Sequence, residues 1–288
     1  MRAALFSFSQ TGTTSAIGQR IGEGLEASGV AVKHASIAPE ADTDLTDIDI
    51  VGVGTPAHIF RPPWIVKDFV WSLPELGGRG FFSFVLYGSS PGATGNRLRR
   101  WLERKGGRDL GYYLARGADR FLGYLREGVL FSPGRPNRTE LEGAFEFGRL
   151  VARRGMSEMT GTEPKDPRTP LLYAFERAMT NRSLIWGFYS RFFWADTRCI
   201  SCEKCVRECP TGNIRMKAEG HPIWARRCIM CGRCSMVCPV DAVHCPWDWW
   251  WSRLIMKVNI RKGIAAGVPY ERVVFGSAGS SEEEKGAN

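Results

Sequence analysis

Eight of the nine cysteines fall in two short runs that obey one rule. Cys199, Cys202, Cys205 and Cys209 are spaced C-x2-C-x2-C-x3-C with Pro210 following, and Cys228, Cys231, Cys234 and Cys238, followed by Pro239, repeat the spacing without deviation. Clustering of this kind argues for a metal centre over scattered disulfides. Zinc also accepts four thiolates at C-x2-C spacing, but its knuckles pair two such hooks and have no use for this eight-cysteine repeat. Iron–sulfur cubanes do: a tight loop wraps three thiolates round one face, and a fourth arrives from farther along the chain. Cys245 stands outside both runs and reads as a small buried residue without a ligand role.

The cysteine region is a minor part of the 288 residues, of which 43% are hydrophobic and 24% charged, enough apolar material for a real core. The first half alternates strand-like and helix-like segments: strands at 3–8, 30–37, 48–54, 81–87 and 112–114, helices at 15–28, 64–73, 96–105 and 140–153. Such alternation predicts a doubly wound α/β fold with a parallel sheet. The first strand runs into Ser9-Gln10-Thr11-Gly12-Thr13-Thr14 at a helix start, where hydroxyls and backbone amides make an anion site. It lacks the lysine of a nucleoside-triphosphate loop, so a monophosphate suits it better. Two further strand-end loops face the same edge: Thr55, Pro56, Ala57, His58, Ile59 and Phe60 after the third strand, and Gly88, Ser89, Ser90, Gly92 and Gly95 after the fourth. The stretch around Gly52 and Gly54 mimics a dinucleotide fingerprint, but Pro62-Pro63 delays the helix that motif requires.

These features divide the chain into an α/β domain at 1–155, a linker with aromatic amphipathic helices at 156–197, a cysteine domain at 198–246, and a Trp-rich extension and tail at 247–288. The last dozen residues, with Glu282, Glu283 and Glu284 among Gly and Ser, read as disordered.

The cysteine region closely resembles the bacterial two-cluster ferredoxins, down to each proline after the fourth cysteine and the continuations Thr211-Gly212-Asn213-Ile214 and Val240-Asp241-Ala242-Val243. That resemblance implies a small α+β domain with two [4Fe-4S] clusters whose ligands cross over. One is assigned to Cys199, Cys202, Cys205 and Cys238, the other to Cys228, Cys231, Cys234 and Cys209. The Ser9 to Thr14 run is similar to the phosphate loop of flavodoxins, and the three loops would then hold FMN. Two departures stand out. The fourth-strand loop lacks an aromatic to stack on the flavin, leaving His58, Phe60 or Trp64, and the third-strand loop lacks a glycine beyond Gly54 for a peptide flip. Weaker stabilisation of the half-reduced flavin is expected.

The whole chain resembles ferredoxin fusion proteins in which a flavodoxin-like domain precedes a two-cluster ferredoxin. It implies an electron-transfer protein relaying electrons between FMN and the clusters and onward to a partner reductase. Two alternatives stay open: an FMN-dependent reductase of a small substrate such as a quinone, and a flavin-free ferredoxin with a docking domain. No acid or base constellation is present, so no catalytic residue is assigned. The net charge of +9, and the excess of Arg and Lys over Glu and Asp between 198 and 241, favour an acidic redox partner and a raised cluster potential. The basic residues are dispersed, which argues against nucleic acid. Trp247, Trp249, Trp250 and Trp251, with Arg253 and Lys257, suit either a peripheral membrane contact or packing against the aromatic 171–194 segment. The start lacks a secretory pattern and no segment is apolar enough to span a bilayer, so a cytoplasmic location is expected.

Overall fold

The computed structural model describes residues 1–157, 159–161 and 165–275, in two compact units. The tail with Glu282, Glu283 and Glu284, and Thr162 to Pro164 of the expected linker, lie outside the described residues.

The first unit comprises residues 1–118 and 134–178. Its elements begin with β1 (Arg2–Ser7), α1 (Thr13–Glu26), β2 (Ala31–Ser36), β3 (Ile50–Pro56), α2 (Trp64–Ser72), β4 (Gly80–Tyr87), α3 (Thr94–Arg104) and β5 (Arg108–Arg116). The five strands form one sheet in the order β2-β1-β3-β4-β5, and every neighbouring pair is parallel. That is the flavodoxin-like doubly wound order, whose ligand crevice lies beyond the carboxyl ends of the strands at the β1/β3 switch point. β3 and β4 read as continuous apolar runs because both faces of a central parallel strand are covered.

Two short elements follow, α4 (Leu122–Arg126) and β6 (Val129–Phe131), and then α5 (Arg138–Gly155) and α6 (Leu171–Met179). α5 opens on a capping box: the Asn137 side chain accepts from the Thr139 N–H at 2.9 Å and Glu140 accepts from the Asn137 N–H at 2.9 Å. Phe82, Phe84, Leu5, Ile17, Ile21 and Phe147 are among the buried side chains that join sheet, α1 and α5 in one core.

The glycines of β3 have a packing cause. A Cβ on Gly54 would lie 2.1 Å from the Phe84 ring, and one on Gly52 would lie 2.3 Å from that of Phe82. They admit the two rings, and α2 starts only after Pro63. The resemblance to a dinucleotide fingerprint is thus incidental.

The second unit comprises residues 119–133 and 179–275 of the described chain. It adds α7 (Arg182–Gly187), a 3-10 turn at Tyr189–Phe192, β7 (Trp194–Ala195), α8 (Lys204–Arg207), β8 (Ile214–Met216), β9 (Pro222–Trp224), α9 (Arg233–Met236), β10 (Val243–His244), a 3-10 turn at Pro246–Asp248, α10 (Trp250–Ala265) and β11 (Tyr270–Arg272). Three two-stranded antiparallel sheets, β8 with β9, β7 with β10 and β6 with β11, frame it.

This division differs from the one read in the sequence. The stretch 119–133 lies inside the expected α/β domain, yet Leu122, Leu125, Val129 and Phe131 bury themselves in the second unit. The reason is β6, which pairs with β11, and Phe131, whose ring sits where a Cβ on Gly263 of α10 would fall 2.7 Å away. Likewise the described residues 165–178 are tied to the first unit. Asp166 accepts from Tyr112 Oη at 2.7 Å and from the Asn96 N–H at 2.8 Å, and Arg61 donates to the Arg177 carbonyl at 2.7 Å.

Candidate functional site

The cysteine loops repeat in backbone as well as in sequence. Ser201 and Met230, 29 residues apart, have φ of 52° and 55°; Glu203 and Gly232 have 59° and 72°; Gly212 and Asp241 have 57° and 46°. Each loop therefore turns through the left-handed region at the same three positions, at a non-glycine residue in four of the six cases. After the second of these positions each enters one helical turn, α8 or α9, and the third follows that turn. After the fourth cysteine of each run a backbone amide is aimed at its sulfur, Asn213 N–H to Cys209 Sγ and Ala242 N–H to Cys238 Sγ, both at 3.3 Å. The Met230 N–H donates to Cys228 Sγ at 3.2 Å. Amides directed at cluster sulfurs stabilise their negative charge and raise the potential.

Cys199, Cys202, Cys205 and Cys238 line one cavity. Burial raises the Cys205 thiol, and the nearness of Cys199, Cys202 and Cys238 adds to the rise. Burial likewise raises the Cys228 thiol, with Cys231, Cys209 and Cys245 adding, and burial raises Cys234, with Cys231, Cys228 and Cys245 adding. Three cysteines of the first run thus gather with Cys238 of the second round one cavity, while Cys209, Cys228, Cys231 and Cys234 neighbour one another with Cys245 beside them. Four soft sulfur donors round one space, with amides facing them, fit an iron–sulfur cluster. The two sets differ in cover: Cys228 and Cys234 are buried, whereas Cys202 is exposed. Cys245 is buried, its thiol pushed up to about 12 by burial.

A side chain from the 119–133 stretch holds this region together. Arg126 of α4 donates to Ser235 Oγ at 2.8 Å and Asp241 Oδ1 at 3.2 Å, and pairs with Asp248 Oδ1 at 2.7 Å. Sequence reading missed it because an arginine in a five-residue helix carries no motif. On the other flank Arg198 and His244 both bond Asp196, Arg198 Nη2 at 2.7 Å and His244 Nε2 at 2.9 Å. The Arg198 hydrogen bond, then that of His244, holds the Asp196 carboxyl well below the usual range.

The tryptophans separate. Trp247 is buried, donating Nε1–H to the Met230 carbonyl at 3.2 Å. Trp249 packs on Phe192 at 5.0 Å and on Trp251 at 5.5 Å. Trp250 stands out, 75% exposed.

In the first unit the phosphate-loop residues sit between β1 and α1. Gly12 is the N-cap of α1 at φ 81°, with no side chain capping the helix. Thr14 is buried, and Thr11 Oγ1 and Thr13 Oγ1 lie 3.4 Å apart. Ser9 Oγ and Gln10 Nε2 are buried with no hydrogen-bond partner among the described residues. Buried polar atoms are rarely left unpaired, so two orphans beside an uncapped helix start mark a place prepared for an anion. The residues fit a phosphate-bearing cofactor.

The loop after β3 closes as a tight turn. His58 and Arg61 exchange backbone hydrogen bonds of 2.9 and 3.3 Å, and Ile59 and Phe60 between them have φ of 48° and 59°. The sequence offers no glycine beyond Gly54 for a backward-turned residue in this loop; the structure nonetheless holds two non-glycine residues there, Ile59 and Phe60, one of them β-branched. The loop after β4 leans on this turn: the Phe60 carbonyl accepts from the Ala93 N–H at 3.1 Å, and a Cβ on Gly92 would meet Phe60 Cβ at 2.5 Å. Gly95, the second residue of α3, lies against the Tyr112 ring, Ser90 Oγ accepts from the Gly92 N–H at 3.3 Å, and Gly88 accepts from Arg116 at 3.1 Å. Thr55 is buried; Pro56, Ala57 and Ser89 are half-buried. Two of the three stacking candidates are engaged elsewhere. Phe60 stacks on Tyr173 of α6 at 4.0 Å, and Trp64 lies under the Arg61 guanidinium at 4.3 Å. The buried Arg61 is pushed down to about 9 by burial, with Arg97 and Arg177 nearby.

Residues 198–242 match the family model of the 4Fe-4S dicluster domain. Among solved structures the chain is similar to an archaeal flavodoxin, at 20% identity over 55% of this chain and 100% of that one, TM-score 0.42. It is also similar to the two-electron-reduced flavodoxin of Megasphaera elsdenii (21% identity, 53% of this chain, 99% of that one, TM-score 0.41). Rubredoxin oxygen:oxidoreductase from Desulfovibrio gigas is a third (16% identity, 54% and 36%, TM-score 0.42). No curated protein matches the chain. A dicluster segment and a flavodoxin-like strand order in one chain support a role in electron transfer. Among the described residues no helix is long and apolar enough to cross a membrane.

Proposed function

We propose that this chain relays electrons between FMN, held by the first unit, and two [4Fe-4S] clusters held by the second, and onward to a partner reductase. The observation that supports the reading is the cavity lined by Cys199, Cys202, Cys205 and Cys238, in one chain with a β1–α1 loop whose Ser9 Oγ and Gln10 Nε2 lack partners among the described residues. FMN when bound supplies two-electron capacity that can be drawn one electron at a time, which matches one-electron clusters to two-electron carriers.

The chain's own groups do the rest. Ser9, Gln10, Thr11, Thr13 and Thr14 would hold the phosphate on the N-terminus of α1, and the loops 55–60 and 88–95 would flank the ring. Cys199, Cys202, Cys205 and Cys238 would hold one cluster and Cys209, Cys228, Cys231 and Cys234 the other. Cys202 is exposed and Cys199, Cys205 and Cys238 are half-buried, which favours the first set as the point of exchange with a partner. Arg198, Lys204 and Arg207 flank it and would orient an acidic protein.

The test is anaerobic analysis of iron, acid-labile sulfide and FMN per chain, with paramagnetic resonance after partial reduction. About eight iron and one FMN per chain, with interacting cluster signals, is the expected result. Iron without flavin would instead leave a ferredoxin with a docking domain.

A further inference from the structure

We infer that α10 is a membrane-surface element that lays the second unit on an anionic lipid bilayer. One face of α10 is fixed by the fold: Ser252, Met256, Asn259, Ile260 and Gly263 are buried, with Gly263 against Phe131 and Met256 against Gly123. The opposite face carries Trp250, Leu254 and Val258, at i, i+4 and i+8, which are 75%, 53% and 42% exposed. Three large apolar side chains in line along an exposed helix are costly in water.

The charge of the helix says what covers them. α10 contains Arg253, Lys257, Arg261 and Lys262 and no acidic residue. Glu127 takes up the first two, at 2.6 Å from Arg253 and 3.9 Å from Lys257. Arg261 follows Val258 by one turn on the same outward face, and Lys262 flanks it. An apolar line flanked on its own helix by cations, with the one paired carboxylate, Glu127, nearly buried, is complementary to a lipid surface, where acyl chains meet the first and phosphates the second. The neighbouring aromatics agree. Phe188 and Phe192, 47% and 40% exposed, pack against Trp249 at 6.3 and 5.0 Å, with Arg191 exposed between them, so rings and cations continue beside the helix start. At 16 residues α10 is about 24 Å long and lies flat rather than spanning.

The proposal stands whether or not FMN is bound. It is tested by sedimenting the full, cluster-loaded chain with vesicles of phosphatidylcholine alone or mixed with phosphatidylglycerol. The expected result is binding to the mixed vesicles on the order of tenfold tighter than to the neutral ones, weakened by salt. Arg261→Glu with Lys262→Glu should lower that affinity by at least roughly fivefold for each cation removed. Trp250→Ala with Leu254→Ser should lower it on the order of tenfold or more. Both pairs change exposed side chains, and unchanged iron content shows that the variants fold. Equal affinity for neutral and anionic vesicles, or no sedimentation with either, would overturn the proposal. So would a dimer in lipid-free solution that Trp250→Glu converts to monomer, because a second copy would then cover the face.

Discussion

Ile59 shows how much a single residue can be asked to bear. A β-branched side chain at φ 48° carries a cost of about 1–2 kcal/mol, and strain of this kind collects at ligand loops. Ile59→Asn, which tolerates the left-handed region, should therefore raise stability by about 0.5–1 kcal/mol. Urea unfolding of the wild type and variant checks it, and a lower midpoint for the variant would mean that the turn is not strained. Arg126 is the converse, a residue that bonds Ser235 and Asp241 of the cysteine region and Asp248 just beyond it. Arg126→Met leaves Asp248 and Ser235 without their cation and should cost about 2–4 kcal/mol. The readout is faster bleaching of the cluster absorbance under a chelator, with an unchanged rate counting against the role. Tyr113 supplies a pH effect. Burial, then Glu140, pushes its hydroxyl up to about 12, so the unfolded chain ionises near 10 while the folded chain keeps its proton. Stability should fall as pH rises from about 10 to 12, and Tyr113→Phe should make that limb shallower in denaturant titrations, the buried Tyr112 keeping part of the slope.

At the scale of elements, the sheet was the legible part. Strands and helices of the first unit fall within a few residues of where hydrophobic period and turn residues put them, because each is long enough to show a period and is bounded by Gly, Pro or a capping residue. The cysteine spacing was legible for another reason: the repeat fixes loop geometry directly, as the matching left-handed residues show. What escaped notice was short or depended on distant chain. β7 and β10 have two residues each, below any periodic signal. β6 reads as one more α/β segment until β11, far along the chain, is seen to pair with it. Asn137 and Asn181 match glycosylation acceptors in sequence, yet both are N-caps, accepting from Thr139 and Leu184. Gly54 gives an element-scale prediction. Gly54→Ala places a Cβ against Phe84 and should destabilise the sheet by about 1–3 kcal/mol; on the proposed function, it should also lower FMN occupancy as the loop after β3 shifts. Thermal unfolding with flavin titration measures both, and full stability with full flavin content would refute it.

For the whole molecule, the chain runs between the two units more than once. The chain leaves the first at Ala118, re-enters it at Gly134 and departs again at Ala178. A fragment beginning at residue 179 keeps all eight motif cysteines but lacks Arg126, Leu122 and β6. It should take up less iron than the full chain on reconstitution and lose it sooner, whereas equal loading would show that the 119–133 stretch is dispensable. The same interleaving has a consequence during synthesis. Val129, Leu130 and Phe131 leave the ribosome long before Tyr270 to Arg272, the strand that pairs with them, have been made. For that interval an apolar strand edge waits without its mate, so the growing chain depends on a holding chaperone, or on the speed of translation, more than two separately folding domains would.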